Sequence, residues 1–82
     1  MNHPAPEDRV ASVFASVLGV PADAVTDDLR YAGIPQWDSI AHMSVVAALE
    51  EAFGVMIDME DVIDMSSVGK AREILRKHGA GV

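Results

Sequence analysis

Trp37-Asp38-Ser39-Ile40-Ala41-His42-Met43-Ser44-Val45-Val46-Ala47-Ala48-Leu49-Glu50-Glu51-Ala52-Phe53-Gly54 is the stretch around which the chain is organised. Ahead of it, Gly33 and Pro35 punctuate the backbone as a loop. From Ala41 onward the residues favour a helix, and Gly54 stops it. Ser39 therefore falls where loop becomes helix, with its hydroxyl near the positive end of the helix. Such an end suits an anionic group, a phosphate above all. Capping accounts for the same residues, since Asp38 or Ser39 accepts a bond from an unpaired first-turn amide. On local chemistry alone, capping is the simpler reading.

A step of roughly 100° per residue puts His42, Val45, Val46, Leu49, Ala52 and Phe53 on one side of this helix. That side is predicted to face the core. Ile40, Met43, Ser44, Ala47 and Glu51 fall on the other side, with Glu50 at its edge. Apolar residues on both sides mean an enclosed helix or a second contact surface. A domain of 82 residues hardly encloses a helix. The outer side, Ile40, Met43, Ser44, Ala47, Glu50 and Glu51, is thus read as a partner surface.

Working outward, residues 1–5 are expected to be frayed, with Pro6, Glu7 and Asp8 opening a first helix. Val10, Val13, Phe14, Val17 and Leu18 recur at helical spacing, and Gly19 ends the run. Pro21 to Gln36 reads as a long irregular segment pinned by Val25, Leu29, Tyr31 and Ile34, with a turn at Asp27 and Asp28. Trp37 is read as a rim residue that packs the loop. Beyond Gly54, Asp58 caps a short helix over Met59 to Ile63, and Ser66 or Ser67 caps a last one. In that last helix Val68, Ala71, Ile74, Leu75 and His78 form the apolar stripe, and Lys70, Arg72, Arg76 and Lys77 face water. Gly79 stops it, and no period-two alternation argues for strands. The predicted fold is all-α: a small four-helix bundle with three main helices, one short helix and a long first loop. Its domain spans 6–79, between the 1–5 terminus and an 80–82 tail.

Composition narrows the function. A net charge of -7 excludes nucleic acid, whose phosphates attract basic surfaces, and favours basic partners. The chain has no cysteine, hence no disulfide and no thiolate metal site. Neither a signal peptide nor a membrane-length apolar run is present, so a cytoplasmic monomer is expected. Asp38, Ser39 and His42 do not make a hydrolase triad, because adjacent Asp38 and Ser39 cannot both serve one imidazole from opposite sides. His42 is instead a rim histidine. The run Asp58-Met59-Glu60-Asp61 with Asp64 lacks the alternation and glycine of a calcium loop and is read as a solvated face. His3, His42 and His78 are too scattered for zinc. Met43, Met56, Met59 and Met65 are read mostly as core fillers, with Met43 suited to the partner surface.

Asp38-Ser39-Ile40 followed by Leu49-Glu50-Glu51-Ala52-Phe53-Gly54 resembles the acyl carrier proteins. Their hallmark is Asp-Ser-Leu opening a helix, then Leu-Glu-x-x-Phe near its end. Here Ile40 replaces the Leu, and Ile57 to Ile63 and the helix after Ser66 match in order. The resemblance covers nearly the whole chain after its first residues. It implies a carrier without catalysis. Ser39 would be esterified to 4′-phosphopantetheine by a phosphopantetheinyl transferase using coenzyme A. The arm's thiol would hold acyl groups for acyl-loading and acyl-consuming enzymes. Asp38 would take part in docking to the transferase. A cleft between the second and third helices, with Val45, Leu49, Val62 and Ile63 as candidate lining, would shelter cargo.

Two departures bear on partners. The family usually has Leu-Gly and one residue before Asp-Ser, whereas this chain has Ala32-Gly33 and then Ile34-Pro35-Gln36-Trp37. Fatty-acid carriers have acids along the outer side of the second helix, whereas here Ala41, Ser44 and Ala47 are uncharged. A dedicated pathway, secondary-metabolite or polyketide-like, is the expectation. Two alternatives stay open: an aminoacyl or peptidyl carrier, and a helical interaction module without a prosthetic group.

Overall fold

The computed structural model describes residues 8–82. The readings made for a frayed 1–5 terminus, for His3, and for Pro6 and Glu7 in the first helical turn lie outside the described residues. Four α-helices follow in order: α1 (Arg9–Leu18), α2 (Ser39–Phe53), α3 (Met59–Asp64) and α4 (Val68–Lys77). Among the described residues there is no strand, only an isolated bridge between Arg30 and Ser67. The all-α expectation holds, including the single short helix and the long connection from α1 to α2.

Each helix begins on the side chain its sequence supplies. Asp8, Asp38, Asp58 and Ser67 each accept the backbone N–H three residues on, at 3.2, 2.8, 3.0 and 3.1 Å. Asp8 is thus the cap of α1 and not a member of its first turn. At the far end of α2, Gly54 takes the left-handed conformation, φ 66°, and returns its N–H to the Glu50 carbonyl.

The core gathers one stripe from each helix: Val10, Phe14 and Leu18 of α1, Val45, Val46 and Leu49 of α2, Val62 of α3, and Val68, Ala71, Ile74 and Leu75 of α4. Val25 is buried and Leu29 and Ile34 are partly buried, so the long connection is pinned as its apolar residues suggested. Its backbone is also spoken for. Leu29 and Asp27 carbonyls accept the first-turn N–H groups of Val68 and Gly69, at 3.0 and 2.9 Å. The approach is close: a Cβ on Gly69 would meet the Asp27 carbonyl oxygen at 3.2 Å.

Several readings need correction. Trp37 is not a rim residue; it is fully buried, edge-on to Phe14 at 5.1 Å between ring centroids. Arg72 does not face water. It grips Asp8 with both terminal nitrogens and Asp27 through Nε, tying the loop and the start of α1 to α4. Asp61 is not solvated either: it is 3 % exposed and accepts from Lys77 Nζ and faces His78 Nε2 across α3 and α4. Of Met43, Met56, Met59 and Met65, only Met65 fills the core. The residues read as a tail fold back, with Ala80 and Val82 packed on the core and Arg76 Nε donating to the Val82 carbonyl.

Candidate functional site

Ser39 is the first residue of α2, immediately after its cap, Asp38, and it is exposed. The Asp38 carboxylate takes the Ala41 N–H, so one orphan amide of the turn is satisfied beside the serine and not by it. The Ser39 hydroxyl is thus left for other chemistry at the positive end of a 15-residue helix. That setting fits a phosphodiester: an accessible hydroxyl, and a helix end that favours the negative charge the ester would carry.

The loop before Ser39 is closed on itself. The Gly33 N–H reaches the Arg30 carbonyl at 2.8 Å, the Trp37 N–H reaches that of Ile34 at 3.1 Å, and the Ala32 N–H reaches that of Trp37 at 3.0 Å. Ala32 sits in the left-handed region, φ 64°, to make this turn. The residues Ile34 to Gln36 form the turn that delivers the Trp37 side chain inward while Ser39, two positions later, stays outside.

His42 lies one turn along α2 from Ser39. Trp37 Nε1 donates to His42 Nδ1 at 3.0 Å, and His42 Nε2 lies 2.9 Å from the Val62 carbonyl. An indole nitrogen only donates, so Nδ1 must be the bare nitrogen, and Nε2–H donates to Val62. The rings of Trp37 and His42 stack at 5.9 Å, and Tyr31 stands edge-on to both, at 6.2 and 5.2 Å. His42 is therefore a structural link joining the loop, α2 and α3, not a loose rim residue.

Beside this cluster opens a mostly apolar cleft of about 230 Å³, lined by Tyr31, His42, Val62, Ile63, Met65 and Ser66. Of the four lining residues expected, the structure brings Val62 and Ile63 to the cleft. Val45 and Leu49 are fully buried in the closed core and do not reach it. Tyr31 and His42 were missed as lining, and only the three-dimensional pairing of the loop with α3 shows them. Two other hollows lie elsewhere. One of about 460 Å³ includes Asp8, Arg9, Phe53 and Arg72, towards the opposite end of α2. The other, of about 540 Å³, is polar, with Arg30 and Lys70 on it.

On the outer side of α2, Ile40 is 79 % exposed and Met43 52 % exposed, with Ser44, Ala47 and Glu51 exposed as well. Glu50, read as an edge member of this surface, is less open than the others. It is half-buried, and its Oε2 accepts the Ile57 N–H at 2.9 Å, holding the segment after α2 in place. Met59 and Ile63 of α3 are exposed as well. Among the described residues, no helix is long and apolar enough to cross a membrane.

A small helical bundle whose second helix opens on an exposed serine defines a class that known proteins share. The profile of the phosphopantetheine attachment site family matches residues 8–74, a span that contains Ser39. The chain belongs to this family, the phosphopantetheine-bearing carrier proteins of acyl-carrier type, which are carriers and not enzymes. It is similar to a protein of Lactobacillus johnsonii named acyl carrier protein, at 28 % identity over 71 residues, covering 87 % of this chain and 89 % of that one. The prosthetic group of the family is phosphopantetheine, and transferases and group-handling enzymes are its partners in general.

Proposed function

We propose that the protein carries acyl groups as thioesters on a 4′-phosphopantetheine arm attached to Ser39, and presents them to the enzymes of a dedicated pathway. The observation that supports this best is the exposed Ser39 hydroxyl at the first position of α2, beside a cap that does not use it. In the attachment step Ser39 Oγ forms the bond to the pantetheine phosphate of coenzyme A. The hydroxyl proton is lost and the adenosine bisphosphate portion leaves. Asp38 holds the turn and offers its exposed edge to the transferase. Incubation with coenzyme A and a phosphopantetheinyl transferase is expected to add one arm by intact mass. Ser39→Ala is expected to fold and to gain nothing. Modification of that variant, at Ser44 for example, would show that the assignment is wrong.

Docking is assigned to the face made by Ile40, Met43, Ser44, Ala47 and Glu51. Its centre is apolar, and exposed apolar residues grouped on one face favour partner contact. Glu50 contributes less, since its carboxylate is engaged by its own chain. Met43→Glu is expected to slow transfer to the cognate enzyme more than Glu51→Gln does, and added salt to weaken docking only modestly. A steep salt dependence together with an indifferent Met43→Glu would move this protein to the fatty-acid class, where acids on this helix meet basic patches.

A further inference from the structure

We infer that the Trp37–His42 pair seals the floor of the cleft beside Ser39, so that this carrier holds short acyl groups at its surface and does not draw long chains into the bundle. The inference rests on Ser39 as the point of attachment.

A chain entering from the cleft would have to pass between α2 and α3. That gap is bridged by His42 Nε2–H donating to the Val62 carbonyl. Behind the bridge, the next space towards the core is filled by the Trp37 ring. It contacts Tyr31 and His42 of the cleft wall on one side and Phe14 of α1 on the other. Trp37 is fully buried, and Val45 and Leu49 beyond the wall are fully buried too, so the interior is closed. Interiors packed this way have no room to receive a further group without moving what is there. Opening the bridge by turning the imidazole away would also strand two polar groups that are now paired, the buried indole N–H and the His42 Nε2–H, although the Val62 carbonyl keeps the Met65 N–H. The space left is the cleft itself. That cleft is open to solvent and has about 230 Å³. Some of that belongs to the end of the arm, which leaves room for a short acyl group against Tyr31, Val62 and Ile63.

The test compares acetyl and octanoyl forms of the wild-type protein, made with a transferase and the two acyl-coenzyme A donors and verified by intact mass. Trp37 is the only tryptophan, so its indole N–H gives one unambiguous nuclear magnetic resonance signal. The expected result is an indole signal at the same position in both forms and an equal thermal midpoint. An octanoyl chain buried in the native state would raise the midpoint by several degrees and shift the indole signal, since what binds only the folded state stabilises it. That result overturns the inference. Absence of any mass gain at Ser39 would overturn the attachment itself, a failure seen before any spectrum is taken. Trp37→Leu tests the converse: with the floor opened, its octanoyl form is expected to melt above its acetyl form. Equal midpoints in a folded Trp37→Leu would show that Trp37 is not the barrier, and if this variant fails to fold the wild-type comparison decides alone.

Discussion

At the scale of single residues, the position of Ser39 was legible because it is local: a hydroxyl at a loop-to-helix junction, next to a capping acid. Trp37 and His42 were not, because their roles depend on what folds over them. His42 was correctly placed on the inner side of α2 by its spacing, yet nothing in the spacing reveals that its two nitrogens bridge Trp37 and Val62. Trp37 sits between a proline-containing turn and an exposed serine, neighbours that point to a surface, and its burial comes from Phe14 and the α1 side of the core. The pairing gives a sharp prediction. His42→Leu keeps much of the volume but leaves the buried indole N–H without an acceptor. It is expected to cost about 1–3 kcal/mol in denaturant unfolding, the usual penalty for such a group. Ser44→Ala, on the exposed side of the same helix, is expected to stay within about 0.5 kcal/mol. Equal midpoints for the two would mean that the bridge does not bear on stability.

At the scale of elements, caps and stripes were readable, because each is written in contiguous residues. Asp58 starts α3, Ser67 starts α4, and Gly19 and Gly54 end α1 and α2 in the left-handed conformation. The inner side of α2 came out as the heptad-like spacing required, with Val45, Val46 and Leu49 buried and Ile40 and Met43 exposed. α3 was harder. In a helix of six residues, one face holds too few positions to establish a period, so Asp61 read as one more surface acid. It points inward because α4 brings Lys77 and His78 to meet it. The methionines failed for a related reason: an apolar side chain in a short segment carries no sign of which way it faces, and Met56 and Met59 lie outside. For α2 the rotation is testable. Leu49→Ala, at a fully buried position, is expected to cost about 2–5 kcal/mol. Glu51→Ala is expected to change stability by no more than about 0.5 kcal/mol. Similar denaturation midpoints would show the helix to be turned the other way.

At the scale of the whole molecule, a net charge of -7 suggests a uniformly acidic object, but the charges have two distinct jobs. Most acids are exposed and repel one another, while Asp8 and Asp61 are staples between distant parts of the chain. Hydrogen bonds from Arg72 hold the Asp8 carboxyl below its ordinary value of 3.8, and those from Lys77 and then His78 do the same for Asp61. Composition could not separate the two kinds, since pairing over 64 and 16 positions is a property of the fold. The signs differ. Protonating the exposed acids relieves repulsion and favours the compact state. Protonating the staples removes bonds made only in the folded state. A folded-state value below the unfolded one means that the unfolded chain binds more protons, so through this range stability rises as pH rises and is lost as pH drops. The staples' contribution is therefore full above the ordinary carboxylate range and is lost as pH drops through 3.8 and below. Lys77 gives the alkaline counterpart: its partner Asp61 raises it above 10.5, so that contribution is full below this value and lost as pH climbs past it. Between these limits the thermal midpoint is expected to be nearly flat. Asp61→Asn separates the two jobs, because it deletes a staple while changing the exposed acids little. It is expected to melt lower than wild type at neutral pH and to lose less on acidification, so that the two curves converge at low pH. Parallel acid limbs for wild type and Asp61→Asn would show that the repelling acids, and not this staple, set the acid stability of the fold.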